Sequence, residues 1–164
     1  FNGYLMEFCR GSNLLRCNLD ISVDQFIKYS NILLNDTNFL SESKFLIQDL
    51  SKSNIIFDNG FKVIDIDFYI FCPNWYCNDL IKNKNDIMNY NREYAIQILL
   101  DIFIRSAKVK IIFEDDIRFN ILKNDCIKGK ISLKQFFYEV CSYLCISGDF
   151  NIQDVGKKLI KSYN

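Results

Sequence analysis

Hydrophobic positions along this chain change period several times, and each change marks an element. Gly3 to Phe8 is short and apolar, which suits a buried strand, and the Cys9-Arg10-Gly11-Ser12-Asn13 stretch after it reads as a loop. From Ser22 the spacing becomes helical. Val23, Phe26, Ile27, Ser30, Leu33 and Leu34 fall on one face, and Ser22 with Gln25 three residues on has the form of a capping box. The spacing predicts a helix over about 23–39.

Short apolar pieces follow, at Phe45-Leu46-Ile47, at Asn54 to Phe57 and at Phe61 to Asp65. The last two are joined by Asp58-Asn59-Gly60, and Asn-Gly is the favoured pair for a tight hairpin because both residues take positive φ at little cost. The hairpin puts Asn54 and Asp65 near its open ends, as neighbours. From Tyr69 to Asn89 the pattern breaks into a loop-rich connector with a short helix expected around 78–84. A helix over about 91–106 carries Tyr94, Ala95, Ile98, Leu99, Ile102 and Phe103, apolar nearly all round and so expected at the centre of the fold. A weakly patterned segment over 115–124 comes next. Ser132 and Gln135 then form a second capping box ahead of Leu133, Phe136, Phe137, Val140, Cys141 and Leu144. An amphipathic helix with Ile152, Val155, Leu159 and Ile160 ends the chain. The expected class is α+β, mainly α, in one domain.

With 164 residues, 49% of them hydrophobic and 15% aromatic, the chain has enough apolar surface for a real core. Lysine plus arginine balances aspartate plus glutamate, 20 against 20, so no overall field draws it to nucleic acid or an anionic membrane. No apolar run reaches the roughly 18 residues of a membrane span. With no leader pattern evident, the chain reads as cytoplasmic. Its seven cysteines are an odd number in a core-sufficient chain and read as reduced, mostly buried thiols. Without any histidine, and with cysteines poorly spaced as ligand pairs, a zinc site is not expected.

The chemistry-bearing stretch is Asp49-Leu50-Ser51-Lys52-Ser53-Asn54, followed eleven residues later by Asp65 in Val63-Ile64-Asp65-Ile66-Asp67-Phe68. A loop and a hairpin bring three oxygen-bearing side chains together, and such a set suits a hard divalent ion. Magnesium is commonly held by one or two protein groups plus substrate phosphates. Asn54 and Asp65 are its candidate ligands, and Asp49 is a candidate proton acceptor. As a bare pattern, D-x-x-x-x-N followed by I-D recurs by chance; Asp49 also fits a turn cap, Asn54 an ordinary loop position and Lys52 a solvated charge.

The order of elements around these residues resembles the C-terminal lobe of the protein kinase-like superfamily, in a compact and divergent bacterial-type form. Gly3-Tyr4-Leu5-Met6-Glu7-Phe8-Cys9-Arg10-Gly11-Ser12-Asn13-Leu14 looks like the last small-lobe strand running into the hinge. The stretch from Leu40 to Phe68 looks like the end of the long lobe helix, the catalytic loop and the metal-binding aspartate. The resemblance covers most of 1–164 as a partial domain, with the N-terminal lobe expected to be missing. It implies ATP and Mg2+ as cofactors, Asp49 as catalytic base, Lys52 as a γ-phosphate contact and Asn54 with Asp65 as metal ligands. It also implies Met6 at the gatekeeper position and Glu7 and Cys9 contacting adenine.

The departures from the pattern narrow the function. Ile47-Gln48 stands where the family has His-Arg, so the arginine that would clamp a phosphorylated activation segment is absent. The usual lysine two places after the aspartate is Ser51. About 25 residues separate Asp65 from the apolar helix, without an Ala-Pro-Glu sequence, which argues against a full peptide-docking segment. The implied function is an ATP- and magnesium-dependent transfer of the γ-phosphate to a hydroxyl, serine/threonine kinase-like, on a protein or a small hydroxyl compound. On this expectation the fragment alone is weakly active or inactive. Two other readings stay open: a pseudokinase that binds nucleotide or protein as a scaffold, and an unrelated helical binding domain in which Asn54 and Asp65 are not adjacent.

Overall fold

The structure is a computed structural model that describes residues 11–14, 21–64, 69–106, 116–146 and 150–161. The strand expected at Gly3 to Phe8, the hinge residues Met6, Glu7 and Cys9, and Asp65 lie outside the described residues. The fold is α+β and mainly helical. In chain order it has β1 (Ser12–Asn13), α1 (Val23–Glu42), β2 (Phe45–Leu46), a 3-10 turn (Lys52–Asn54), β3 (Ile55–Phe57), β4 (Phe61–Val63), β5 (Ile70–Phe71), α2 (Lys84–Ser106), α3 (Ile117–Ile127), α4 (Leu133–Cys145) and α5 (Phe150–Lys161). Two small antiparallel sheets form, one in the order β1-β3-β4 and one of β2 with β5.

The capping box at the start of α1 forms in both directions. Gln25 N donates to Ser22 Oγ at 3.2 Å, and Ser22 N donates to Gln25 Oε1 at 3.0 Å. The helix runs past its expected end near residue 39 to Glu42. Thr37 and Ser41 look polar in sequence, yet both are buried, with hydroxyls donating back to Leu33 O and Thr37 O at 2.8 Å each. A hydroxyl satisfied by its own helix can sit in a core, so the buried face continues through them. Lys44 then takes a positive φ of 66° and turns the chain into β2.

α2 also begins earlier than expected, at Lys84 rather than 91, and no helix forms over 78–84. Asn78 there closes a turn, its Oδ1 accepting from Leu80 N at 2.9 Å and Ile81 N at 3.1 Å. Asn83 and Asp86 cap the helix start: Asn83 Oδ1 accepts from Asp86 N at 3.1 Å, and Asp86 Oδ2 accepts from Asn83 N at 3.1 Å. α2 is central, although Tyr94, counted among its apolar positions, is exposed on a solvent-facing side with Glu93, Gln97 and Asp101. Ala95, Ile96, Leu99, Leu100, Ile102 and Phe103 are all buried. Phe103 meets Phe137 of α4 with ring centroids 4.8 Å apart, and Phe26 of α1 lies 5.2 Å from each of them.

The weak pattern at 115–124 becomes α3, because Asp116 Oδ1 accepts from Arg118 N at 2.9 Å and Phe119 N at 3.0 Å as its N-cap. Ile117 and Ile121 of α3 are exposed, which is why the periodicity was faint. Arg92 of α2 holds the other end, donating to Ile127 O at 2.7 Å and Cys126 O at 3.0 Å. Ser132 caps α4, its Oγ accepting from Gln135 N at 3.1 Å, but the reciprocal Gln135 bond of the expected capping box does not form. α5 packs on α4 through Gly156, where an added Cβ would stand 2.7 Å from Cys145 N and 2.9 Å from Cys141 O. Among the described residues, no helix is long and apolar enough to cross a membrane.

Candidate functional site

The segment from Ile47 to Asn54 leaves the core twice and returns. Ile47 and Leu50 are buried at 1% and 4% exposure, and Asp49 between them is exposed. Asp49 adopts φ of 56°, in the left-handed region that aspartate and asparagine tolerate better than most side chains. Two buried anchors and one left-handed residue thus turn the carboxylate outward at the tip of the segment.

Asn91, near the start of α2, fixes where that segment begins. It is fully buried, and its Oδ1 accepts from Ile47 N at 2.8 Å. Its Nδ2 donates to Phe45 O at 2.7 Å and to Ser41 Oγ at 2.8 Å. One amide side chain therefore joins the end of α1, strand β2 and the start of the loop to the central helix. Sequence reading passed Asn91 over, because it stands among Asn89, Arg92 and Glu93 and its partners lie 44 to 50 positions away. The available signal was its place in the helical register of Asn91, Ala95, Ile98 and Ile102, on a buried face.

β2 is braced from its other side. Phe45 pairs with Phe71 and Leu46 with Ile70, and Cys72 N donates to Lys44 O at 2.8 Å. The Cys72 thiol is buried here and donates to Ile70 O at 3.7 Å. Burial first, then a hydrogen bond with Cys77, pushes this thiol up to about 11. Burial likewise raises Cys126 to about 11 and Cys141 to about 12. All three stay protonated at neutral pH and serve as small packing groups.

Asn54 closes the loop at its far end. Its Nδ2 donates to Asp49 O at 2.8 Å and to Asp49 Oδ2 at 3.1 Å, so the two sequence-selected residues meet directly. Its main chain starts the hairpin: Asn54 O accepts from Ile64 N at 2.8 Å, one step beyond the Ile55–Val63 pair. The turn has Asn59 at φ 51° and Gly60 at φ 154°, as the Asn-Gly pair anticipated. The ladder thus runs to the residue immediately before Asp65. With Nδ2 committed to Asp49, the Oδ1 of Asn54 accepts no hydrogen bond from the described residues, and a carbonyl oxygen of this kind suits a hard cation.

Lys52 is engaged elsewhere. Its Nζ lies 3.2 Å from Asp101 Oδ2 on α2, in a partly exposed ion pair. Asp101 also belongs to a cleft of about 370 Å³ that opens beside the loop, with Leu50 and Ile98 in its floor and Tyr90, Glu93 and Tyr94 along its wall. The cleft's lining residues on α2, at 90, 93, 94, 97, 98 and 101, fall at helical spacing along one side of the helix. No protein-family model and no curated protein matches this chain.

Proposed function

We propose that this chain is the hinge and C-terminal lobe of a protein kinase-like domain, working as an ATP- and magnesium-dependent phosphotransferase. The observation that carries the reading is the direct hydrogen bonding of Asn54 to both the main chain and the carboxylate of Asp49, on a hairpin whose paired strand leads into Asp65. In this reading Asp49 takes the proton of an acceptor hydroxyl as its oxygen bonds to the γ-phosphorus and the bond to the ADP oxygen breaks. Asn54 Oδ1 and the Asp65 carboxylate would hold magnesium, which when bound neutralises phosphate charge. Met6, Glu7 and Cys9 belong to the adenine side. The glycine-rich loop and strand lysine of the family belong to a small lobe that these 164 residues do not contain.

A scaffold role, the pseudokinase reading, is favoured by one observation: the ammonium of Lys52 is paired with Asp101 rather than left free for phosphate. Titrating ATP with magnesium into the protein extended upstream of Phe1, as wild type and Asp65→Asn, separates the two. The phosphotransferase reading expects magnesium-dependent binding and turnover that the variant loses. Binding without turnover in the wild type would favour the scaffold, and absence of both would remove the kinase reading.

A further inference from the structure

Cys72 and Cys77 bracket a short irregular stretch, Pro73-Asn74-Trp75-Tyr76, between β5 and α2. Trp75 N donates to Cys72 O at 3.0 Å, which closes a turn, and Trp75 itself takes a positive φ of 61°, so the chain doubles back on Cys72. Its two ends are tied down separately. Cys72 N donates to Lys44 O at 2.8 Å, and Cys77 N donates to Ile81 O at 3.0 Å. The turn brings the second sulfur to the first: the two thiols share a hydrogen bond, and both lie in one small apolar cluster with Leu46, Ile81 and Ile87. Cys77 is partly exposed and Cys72 is buried, so one sulfur of the pair meets solvent and the other stands behind it. Cys141 and Cys145 are also near in sequence, but on one helix. Residues four apart on a helix hold their Cβ atoms about 5–6 Å apart, whereas a disulfide needs about 3.5–4.5 Å. The irregular stretch between Cys72 and Cys77 imposes no such separation.

We infer that Cys72 and Cys77 form a reversible dithiol-disulfide site that exchanges with small-molecule disulfides, Cys77 being the attacking sulfur and Cys72 the resolving one. The Cys77 thiolate attacks one sulfur of the incoming disulfide, a mixed disulfide forms, and the outer half leaves as a thiolate. Cys72 then gives its proton to solvent and attacks Cys77 Sγ, and the second half leaves. Two electrons and two protons pass in all from the cysteine pair to the small-molecule disulfide, which ends as two thiols. Burial pushes the Cys72 thiol up to about 11, so ring closure is the slower of the two steps. In the reduced protein Cys72 remains a packing group. The site is independent of the phosphotransferase reading, although β2, which Cys72 braces, leads into the loop that carries Asp49.

Oxidised glutathione is the probe, added to the reduced 164-residue chain and quenched with acid at intervals, with each cysteine followed by peptide mass spectrometry. Trypsin cuts after Lys62 and Lys82 and leaves both sulfurs, with no other cysteine, in the one peptide 63–82. That peptide is expected to gain one glutathione transiently and then to become lighter than the starting peptide by two hydrogens. Cys126 and Cys141 are expected to stay reduced over the same interval, because burial holds them as thiols. Dithiothreitol should restore the starting mass. Cys72→Ser is expected to stop at the mixed disulfide on Cys77, and Cys77→Ser to leave Cys72 unmodified. Glutathione retained on Cys77 of the wild type, no reaction in the peptide, or modification of Cys126 and Cys141 at the same rate would overturn the inference. The wild-type peptide masses decide it alone should a serine variant fail to fold.

Discussion

The loop from Ile47 to Asn54 and the helical core beneath it are held by opposite kinds of force. In the core, Phe26, Phe103 and Phe137 meet ring against ring, and no single direction is required of any of them. In the loop, two asparagine amides carry the geometry. Asn91 grips Ile47 N and Phe45 O from below, and Asn54 grips Asp49 from the hairpin side. Apolar packing supplies the larger energy but leaves positions soft, whereas a buried amide fixes an atom to within a hydrogen bond. A site needs the second on top of the first.

The comparison breaks most visibly in the core. Phe137→Ala is expected to cost about 3–5 kcal/mol, because a fully buried ring is replaced by a cavity, and urea unfolding should shift as a whole. Asn91→Leu is expected to cost less, about 2–3 kcal/mol, since it strands Ile47 N and Phe45 O without partners. Its distinctive sign is local: amide exchange should accelerate at Ile47 and Leu50 while α4 keeps its protection. Uniform acceleration across both regions would erase the distinction drawn between them.

Asn54→Ala sharpens the contrast further. About 1 kcal/mol of stability should go with its bonds to Asp49, while the affinity for a divalent cation near the hairpin should fall far more than that loss implies. Calorimetry with Mg2+ and Mn2+ measures the second quantity. The smallest effect belongs to Lys52→Met. Its pair with Asp101 is partly solvated, with side chains 26% and 47% exposed, so stability should change by less than about 0.5 kcal/mol in thermal unfolding.

What could be read from the sequence follows the same division. The capping box at Ser22 and Gln25, the hairpin around Asn59-Gly60 and the apolar girdle of α2 are local signals, and all three elements formed. Boundaries failed where a polar residue was satisfied by something out of local view. Past the expected end of α1, Ser41 is satisfied by the carbonyl of Thr37, and the Asn83 and Asp86 pair started α2 ahead of its apolar run. Asn78 made a turn where a short helix was expected, because its side chain competes for the nearby amides. At the site, the Asp49 and Asn54 contact was legible because the two stand only five positions apart on one loop. The roles of Asn91 and Asp101 were not, since each depends on a partner more than 40 positions away.

The central claim is that Asp49 works as the base of a phosphotransferase. The direct measurement is magnesium-dependent release or transfer of the ATP γ-phosphate by the protein extended upstream of Phe1, comparing wild type with Asp49→Asn. The amide can still accept from Asn54, so the loop should keep its shape while losing the proton acceptor. The account predicts turnover lower by about 10²–10⁴-fold with nucleotide binding retained. Equal turnover in the two proteins, or none in the wild type, would contradict it.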